Sequence, residues 1–239
     1  RNWGVSAAFQ IIAVCFAVVL LLASAFVEQG PEEAGQMLPG GGRDMSWREM
    51  LCQKKFYGMC AMLLCGGLSG MMVISSASDM AQVEAGFSPA AAALMVSVLS
   101  LFNAGGRASA GILSDKLGRI GTLSLVFPIS VAALCALFFF GQDSMAVFAV
   151  SIALVGACFG ALMGIFPGFT ADEFGQRNNT VNYGILFFGF ALSGMLGPQV
   201  ASWVMSGTGS YRSAFLIAAV VALAGFAFTF LHRRLAARS

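Results

Sequence analysis

Residues 88–113 read SPAAAALMVSVLSLFNAGGRASAGIL. Crossing the hydrocarbon core of a bilayer takes about 20 mostly apolar residues. This stretch is long enough, and only Pro89, Asn103 and Arg107 interrupt its run of small and apolar side chains. An arginine at bilayer depth costs roughly 2.5–3.5 kcal/mol on insertion scales. A chain sustains that cost where the charge faces a water-filled path or a ligand. A fixed cation in such a path attracts an anion, so the stretch points to a membrane protein that handles a small negatively charged solute.

The whole chain agrees. Of its 239 residues 58% are hydrophobic and 10% charged, where a soluble domain carries about 25% charged residues. Spanning helices are predicted at 3–26, 56–76, 88–113, 122–140, 145–166, 181–204 and 213–231. In lipid the backbone must satisfy its own hydrogen bonds, so these are helices and not open strands. The first run is longer than a signal-peptide core, and no small-residue cleavage site follows it. The connections are short except for 27–55, which holds Gly30, Pro31, Pro39 and a Gly-Gly-Gly run. That segment reads as a linker ending in an amphipathic piece at 46–54.

A net charge of +2 is too small to suggest a nucleic-acid partner; where the 13 Lys and Arg residues fall matters more. With the N-terminus outside, Arg43, Arg48, Lys54, Lys55, Lys116, Arg119, Arg177, Arg233, Arg234 and Arg238 face the inside. Arg1 and Arg212 face the outside, and Arg107 stays in the membrane. The positive-inside rule then predicts a multi-pass protein of the inner cell membrane with a cytoplasmic C-terminus. Trp3, Trp203 and Tyr211 fall at the outer interface, Trp47 and Tyr57 at the inner one. His232, beside Arg233 and Arg234, reads as an interfacial anchor just outside the last helix.

Chemistry of bond making is not indicated. The six cysteines have no CxxC spacing and read as small packing residues. No metal cluster, phosphate loop or Ser/His/Asp set stands out, and no cofactor is implied. All 11 acids fall in predicted loops or at helix ends. Proton relays use ionisable groups at depth, so exchange or facilitated transport fits more simply than proton symport.

On 88–113, Ser97, Ser100, Ala104, Arg107 and Gly111 share one helical face, with Asn103 alongside. The stripe is predicted to face the bundle interior or a cavity. Two roles fit Arg107. Its planar fork suits a carboxylate; alternatively, six residues from Leu113, or about 9 Å, it could snorkel toward headgroups. Tyr183, Phe187, Phe190 and Gly194 share a face of the sixth run, as cavity lining or as packing and lipid-facing aromatics. The many membrane glycines read as helix-packing positions, and Pro128, Pro167 and Pro198 as bends.

Past Arg107 stands Gly111-Ile-Leu-Ser-Asp115-Lys116-Leu-Gly118-Arg119. Gly111 permits close helix approach and Gly118 a sharp turn. Asp115 can sit at a helix N-terminus, and Lys116 and Arg119 hold the loop inside. This G-x-x-x-D-[RK]-x-G-[RK] pattern resembles the signature of the major facilitator superfamily, in which the loop helps latch one conformation. An echo, Gly168-Phe-Thr-Ala-Asp172-Glu-Phe-Gly175, is placed in a later loop. The resemblance implies an all-α membrane protein with a major-facilitator-type bundle: transmembrane helix 6 at 1–28, a cytoplasmic central loop at 29–55, and the C-terminal six-helix transporter domain at 56–239. The lipid bilayer and the N-terminal six-helix half of the same transporter are the implied partners.

Gly70-Met-Met-Val-Ile-Ser, Asn103-Ala-Gly-Gly-Arg107, Thr170-Ala-Asp172 and Val181-Asn182-Tyr183-Gly184, in that order, are similar to the oxalate/formate antiporter family. The similarity implies that Arg107 binds substrate carboxylate and that Phe159 and Met163 line the cavity, Met163 departing from the aromatic group of relatives. Oxalate-carrying relatives place a lysine where this chain has Phe190. Two cations suit a dianion and one suits a monoanion, so formate, lactate or pyruvate is expected before oxalate. The expected function is secondary transport of small organic anions by alternating access. Two rivals stand beside it: a non-transporting sensor or assembly partner built on an orphan half, and a neutral or cationic solute with Arg107 purely structural.

Overall fold

The computed structural model describes residues 5–25 and 44–236. Two compact units divide between Pro39 and Gly40. The first contains α1 (Val5–Ala25), an apolar helix whose residues 9–24 are exposed. The second contains α2 (Trp47–Leu51), α3 (Lys54–Ile74), α4 (Ala77–Ala85), α5 (Pro89–Leu117), α6 (Arg119–Phe140), α7 (Met145–Phe174), α8 (Asn179–Leu186), α9 (Phe188–Thr208) and α10 (Arg212–Ala236). The described residues hold six helices long and apolar enough to cross a membrane, the last but one running through α8 and α9. Arg1, Trp3, Arg43, Arg238 and residues 29–43 of the predicted loop lie outside the described residues.

Local sequence sets the helix starts. Ser88 accepts a hydrogen bond from the Ala91 amide at 3.3 Å, and Pro89 follows as the first helical residue of α5. Ser144 caps α7 in the same way. Ser46 and Glu49 form a reciprocal capping box on α2, so the helical part of the predicted 46–54 piece is only five residues long. Gly118, at φ 75°, turns the chain from α5 into α6. Pro128, Pro167 and Pro198 lie inside α6, α7 and α9.

Several helices outrun their apolar stretches. The second span instead ends early, at Ile74, and is followed by α4, a separate short helix the hydropathy did not suggest. α7 continues to Phe174, so Gly168 and Asp172 lie on a helix and not in a loop. The sixth span is interrupted at Phe187 and then runs to Thr208.

α7 and α3 are the most buried spans, while α5 and the α8–α9 pair are the least. α5 packs against α7, α3 against α9 and α10, and α6 against α7 and α10. The α5–α7 contact is a backbone seam. A methyl group added at Gly156 would lie 2.8 Å from the Leu99 carbonyl oxygen, and one at Gly164 would lie 2.7 Å from that of Arg107. One at Gly160 would overlap the Asn103 carbonyl, and one at Gly106 that of Ala157. The helices run parallel in constant register, and small residues at helical spacing let them meet.

The C-terminal end of α7 gathers one set of polar groups. Glu173 binds Lys55 Nζ at 3.2 Å and His232 Nε2 at 3.4 Å. His232 is fully buried within α10, with its ring edge-on to Phe169 at 5.2 Å. It is therefore a packed bridge between helices, not an anchor outside the last one. The end of the predicted linker docks here too. The Met45 carbonyl accepts from Asn178 Nδ2 at 3.2 Å and Asn182 Nδ2 at 3.1 Å, and Asp44 accepts from the Arg177 amide at 3.2 Å.

At the opposite end Glu84 is buried and joins three connections. It accepts from Gln142 Nε2, from Ser210 Oγ at 2.9 Å and from the Tyr211 amide. Tyr211 is 7% exposed, so it is a core residue and not part of an interfacial belt. Trp203, Trp47 and Tyr57 are exposed.

Candidate functional site

Arg107 sits in the interior of α5, with its backbone against Gly164 of the α7 seam and the residue itself exposed. Its Nε donates to Asn103 Oδ1 at 3.2 Å, one helical turn earlier. Among the described residues no carboxylate pairs with it. Ser97, Ser100, Ala104 and Arg107 are exposed and Gly111 is half-buried. The stripe therefore faces out of the packed core of this unit. A methyl group at Gly111 would meet nothing within 4 Å among the described residues, so close helix approach there is not observed.

The aromatic candidates form a ladder. Tyr183 and Phe187 have ring centroids 5.4 Å apart, Phe187 and Phe190 4.7 Å, and Phe190 and Phe159 5.9 Å. The ladder crosses from α8 over the break at Phe187 into α9 and on to α7. Tyr183, Phe187 and Phe190 are half-buried, each packed against the next ring. The ladder and the cation meet at α7: Phe159 immediately precedes Gly160, which faces the Asn103 carbonyl one turn before Arg107. Met163 is buried one turn beyond Phe159, and no ring contact or hydrogen bond ties it to the others.

Two glycines on α3 make room for the ladder. A methyl group at Gly70 would overlap the Phe159 ring, and one at Gly67 would lie 3.2 Å from Phe190 Cδ2. Beside them Ser193 Oγ donates to the Leu64 carbonyl at 2.9 Å, tying α9 to α3. In the sequence Gly67 reads only as a membrane glycine and Gly70 as the start of a family-like stretch, and nothing singles out Ser193. The arrangement offers one cation with unused donors next to an apolar, aromatic wall. That suits a small anion whose uncharged part is flat or apolar.

The loop motif has its own geometry. Arg119 donates from Nε to Asp172 Oδ2 at 2.8 Å and from Nη1 to Asp115 Oδ1 at 3.1 Å and to Ser114 Oγ. Its guanidinium lies over Gly168, where a methyl group would come within 3.1 Å of Cζ. Lys116 is exposed, on the last turn of α5.

The Major Facilitator Superfamily matches this chain over residues 1–198. YhjX, an uncharacterised MFS-type transporter of Escherichia coli (strain K12), is 30% identical over 79% of this chain and 47% of its own length. The oxalate:formate antiporter of Oxalobacter formigenes is 26% identical over 94% of this chain and 53% of its own. Monocarboxylate transporter 12 of Xenopus laevis is 27% identical over 56% of this chain and 30% of its own. The fold is similar to a crystal structure of the E. coli fucose:proton symporter FucP, with a TM-score of 0.71 and 16% identity over 95% of this chain and 55% of that one. The chain spans about half the length of the first two relatives it matches. By sequence and by fold alike, this multi-pass membrane chain belongs to the Major Facilitator Superfamily, a superfamily of transporters and not of enzymes.

Proposed function

We propose that this chain forms the second half of a secondary transporter for small organic anions, with a monocarboxylate such as formate, lactate or pyruvate as its solute. One observation carries the reading. Arg107 is the one Lys or Arg in the interior of a membrane-length helix among the described residues, and an aromatic ladder, not a second cation, stands beside it. A single guanidinium balances one carboxylate. A dianion would leave one charge in a partly dry cavity, which is costly. The names of two relatives, an oxalate:formate antiporter and a monocarboxylate transporter, support the same solute class.

On this reading residues 1–28 supply the sixth helix, 29–55 the central loop and 56–239 the C-terminal bundle. An N-terminal six-helix half completes the cavity. Arg107, Asn103, Tyr183, Phe187, Phe190, Phe159 and Met163 form this half's share of the site, and the Gly111–Arg119 motif latches one conformation. The basic end of the bundle faces the cytoplasm and carries the C-terminus.

Uptake and counterflow in liposomes holding the full-length protein, across mono- and dicarboxylates, test the proposal. Arg107→Gln removes a membrane charge, so it is expected to fold and to lose anion transport. Arg107→Lys is expected to keep less than a tenth of the activity, since a point charge replaces a bidentate fork and about 1.4 kcal/mol is tenfold. Wild-type rates in Arg107→Gln would refute the anion role.

A further inference from the structure

We infer, on the anion-site reading above, that Asn103 is a positioning residue for Arg107 and not a ligand to the solute, and that it leaves the terminal Nη1–Nη2 edge of the guanidinium as the anion's seat. A guanidinium presents two kinds of edge to a carboxylate, one that includes Nε and one made by the two terminal nitrogens. The Asn103 Oδ1 atom accepts from Nε at 3.2 Å, which occupies the first kind. The terminal nitrogens have no ion-pair partner among the described residues.

The pair is fixed from behind. The backbone carbonyls of Asn103 and Arg107 rest against Gly160 and Gly164 of α7, where no side chain fits without moving α5. Phe159 and Met163 each immediately precede one of these glycines, so α7 carries both the seam that places the guanidinium and a wall of the site. A carboxylate held end-on is set at a fixed distance from the ladder, and its tail is read against Tyr183, Phe187 and Phe190.

A neutral amide is the side chain this task calls for. Its carbonyl orients the guanidinium and leaves the positive charge uncancelled. An aspartate would hold Nε at least as firmly but would neutralise the site. An alanine would release the long side chain to its rotamers and open the edge that includes Nε, so the anion could bind in a second pose with its tail displaced. Displacements of about 1 Å in a bound group are enough to change selectivity substantially.

The test compares wild type with Asn103→Ala and Asn103→Asp, each full-length in liposomes, using competition by formate and by butyrate against a labelled monocarboxylate. In Asn103→Ala the KM is expected to rise about tenfold, the effect of losing one hydrogen bond to a charged group, with the maximal rate within about twofold. The ratio of formate to butyrate inhibition constants is expected to move by about threefold or more. Asn103→Asp is expected to fall below about a tenth of wild-type uptake. An unchanged KM and ratio in Asn103→Ala, or a lower maximal rate with both unchanged, overturns the positioning role while the anion site stands. Wild-type protein that transports no monocarboxylate overturns the anion site and the positioning role together.

Discussion

Arg119 donates to Asp172 at 2.8 Å, and the two residues belong to two copies of the same spacing. The seam places Leu99, Asn103 and Arg107 opposite Gly156, Gly160 and Gly164. Past Arg107 the seam does not continue in the same way: a methyl group at Gly111 meets nothing within 4 Å among the described residues, and one at Gly168 meets the Arg119 side chain. Arg119 bridges both acids there, Asp115 of the motif and Asp172 of its echo.

Exposed ion pairs of this kind are worth about 0–1 kcal/mol, and Asp172 is 51% exposed. Arg119→Gln is therefore expected to leave thermal stability nearly unchanged and to slow transport by about fivefold or more, as loss of a conformational latch does. Asp172→Asn should be milder, because Asp115 still accepts from Nη1. The double variant should be no worse than Arg119→Gln, as shared interactions are not additive. Initial rates beside melting curves check this, and a stability loss of about 3 kcal/mol would make the pair structural instead.

The α5–α7 seam predicts opposite outcomes for two alanines. Gly160→Ala places a methyl group on the Asn103 carbonyl, so α5 must shift, and overpacking costs about 1–3 kcal/mol. Transport should fall with stability, because Asn103 and Arg107 move with the helix. At Gly207 in α9 a methyl group meets nothing within 4 Å among the described residues. Gly207→Ala should be neutral or up to about 1 kcal/mol stabilising. Thermal unfolding of both variants decides; equal melting temperatures would refute the seam.

His232 ties α10 to Glu173 of α7, which Lys55 of α3 also holds. His232→Ala opens a cavity beside Phe169 and removes one partner of the half-buried Glu173 carboxylate. A stability loss on the order of 2 kcal/mol is expected, with His232→Gln less affected because it keeps a donor. Melting temperatures equal to wild type in both variants would show that the bridge contributes nothing.

Sidedness has its own readout. Single cysteines replacing Gly207 and Lys116, in a background without native cysteines, should react with an impermeant maleimide from outside in intact cells at Gly207 only. The expectation rests on the one-sided distribution of Lys and Arg. Labelling at Lys116 alone would invert the proposed topology.

The spans were legible because bilayer thickness fixes the length of an apolar run, and the pairing of Asn103 with Arg107 follows from their one-turn spacing. Helix ends were not legible. Hydropathy falls where polar residues begin, yet α7 continues through Thr170, Asp172 and Glu173. His232 was read as outside the last helix for the same reason. Its partner Glu173 is 59 positions away, and Tyr211 meets Glu84 across 127. Glycine positions stood plainly in the sequence, but whether each faces a carbonyl, as Gly160 does, or open space, as Gly207 does, depends on which helices become neighbours.

Phe190 tests the charge of the solute. It is half-buried between Phe187 and Phe159, so a lysine there enters the packed side of the helix and not the lipid. Phe190→Lys would bring a second cation into the ladder, whose Phe159 end lies beside the α5–α7 seam that carries Arg107. A dianion gains a second charge-assisted contact, while a monoanion leaves one ammonium unpaired in a partly dry site. Competition by oxalate against a labelled monocarboxylate should therefore rise by about fivefold or more, the scale of roughly 1 kcal/mol. Uptake of the monocarboxylate itself should weaken. If the variant reaches the membrane in wild-type amounts with oxalate competition unchanged, or if wild type already prefers oxalate, the monoanion assignment is wrong.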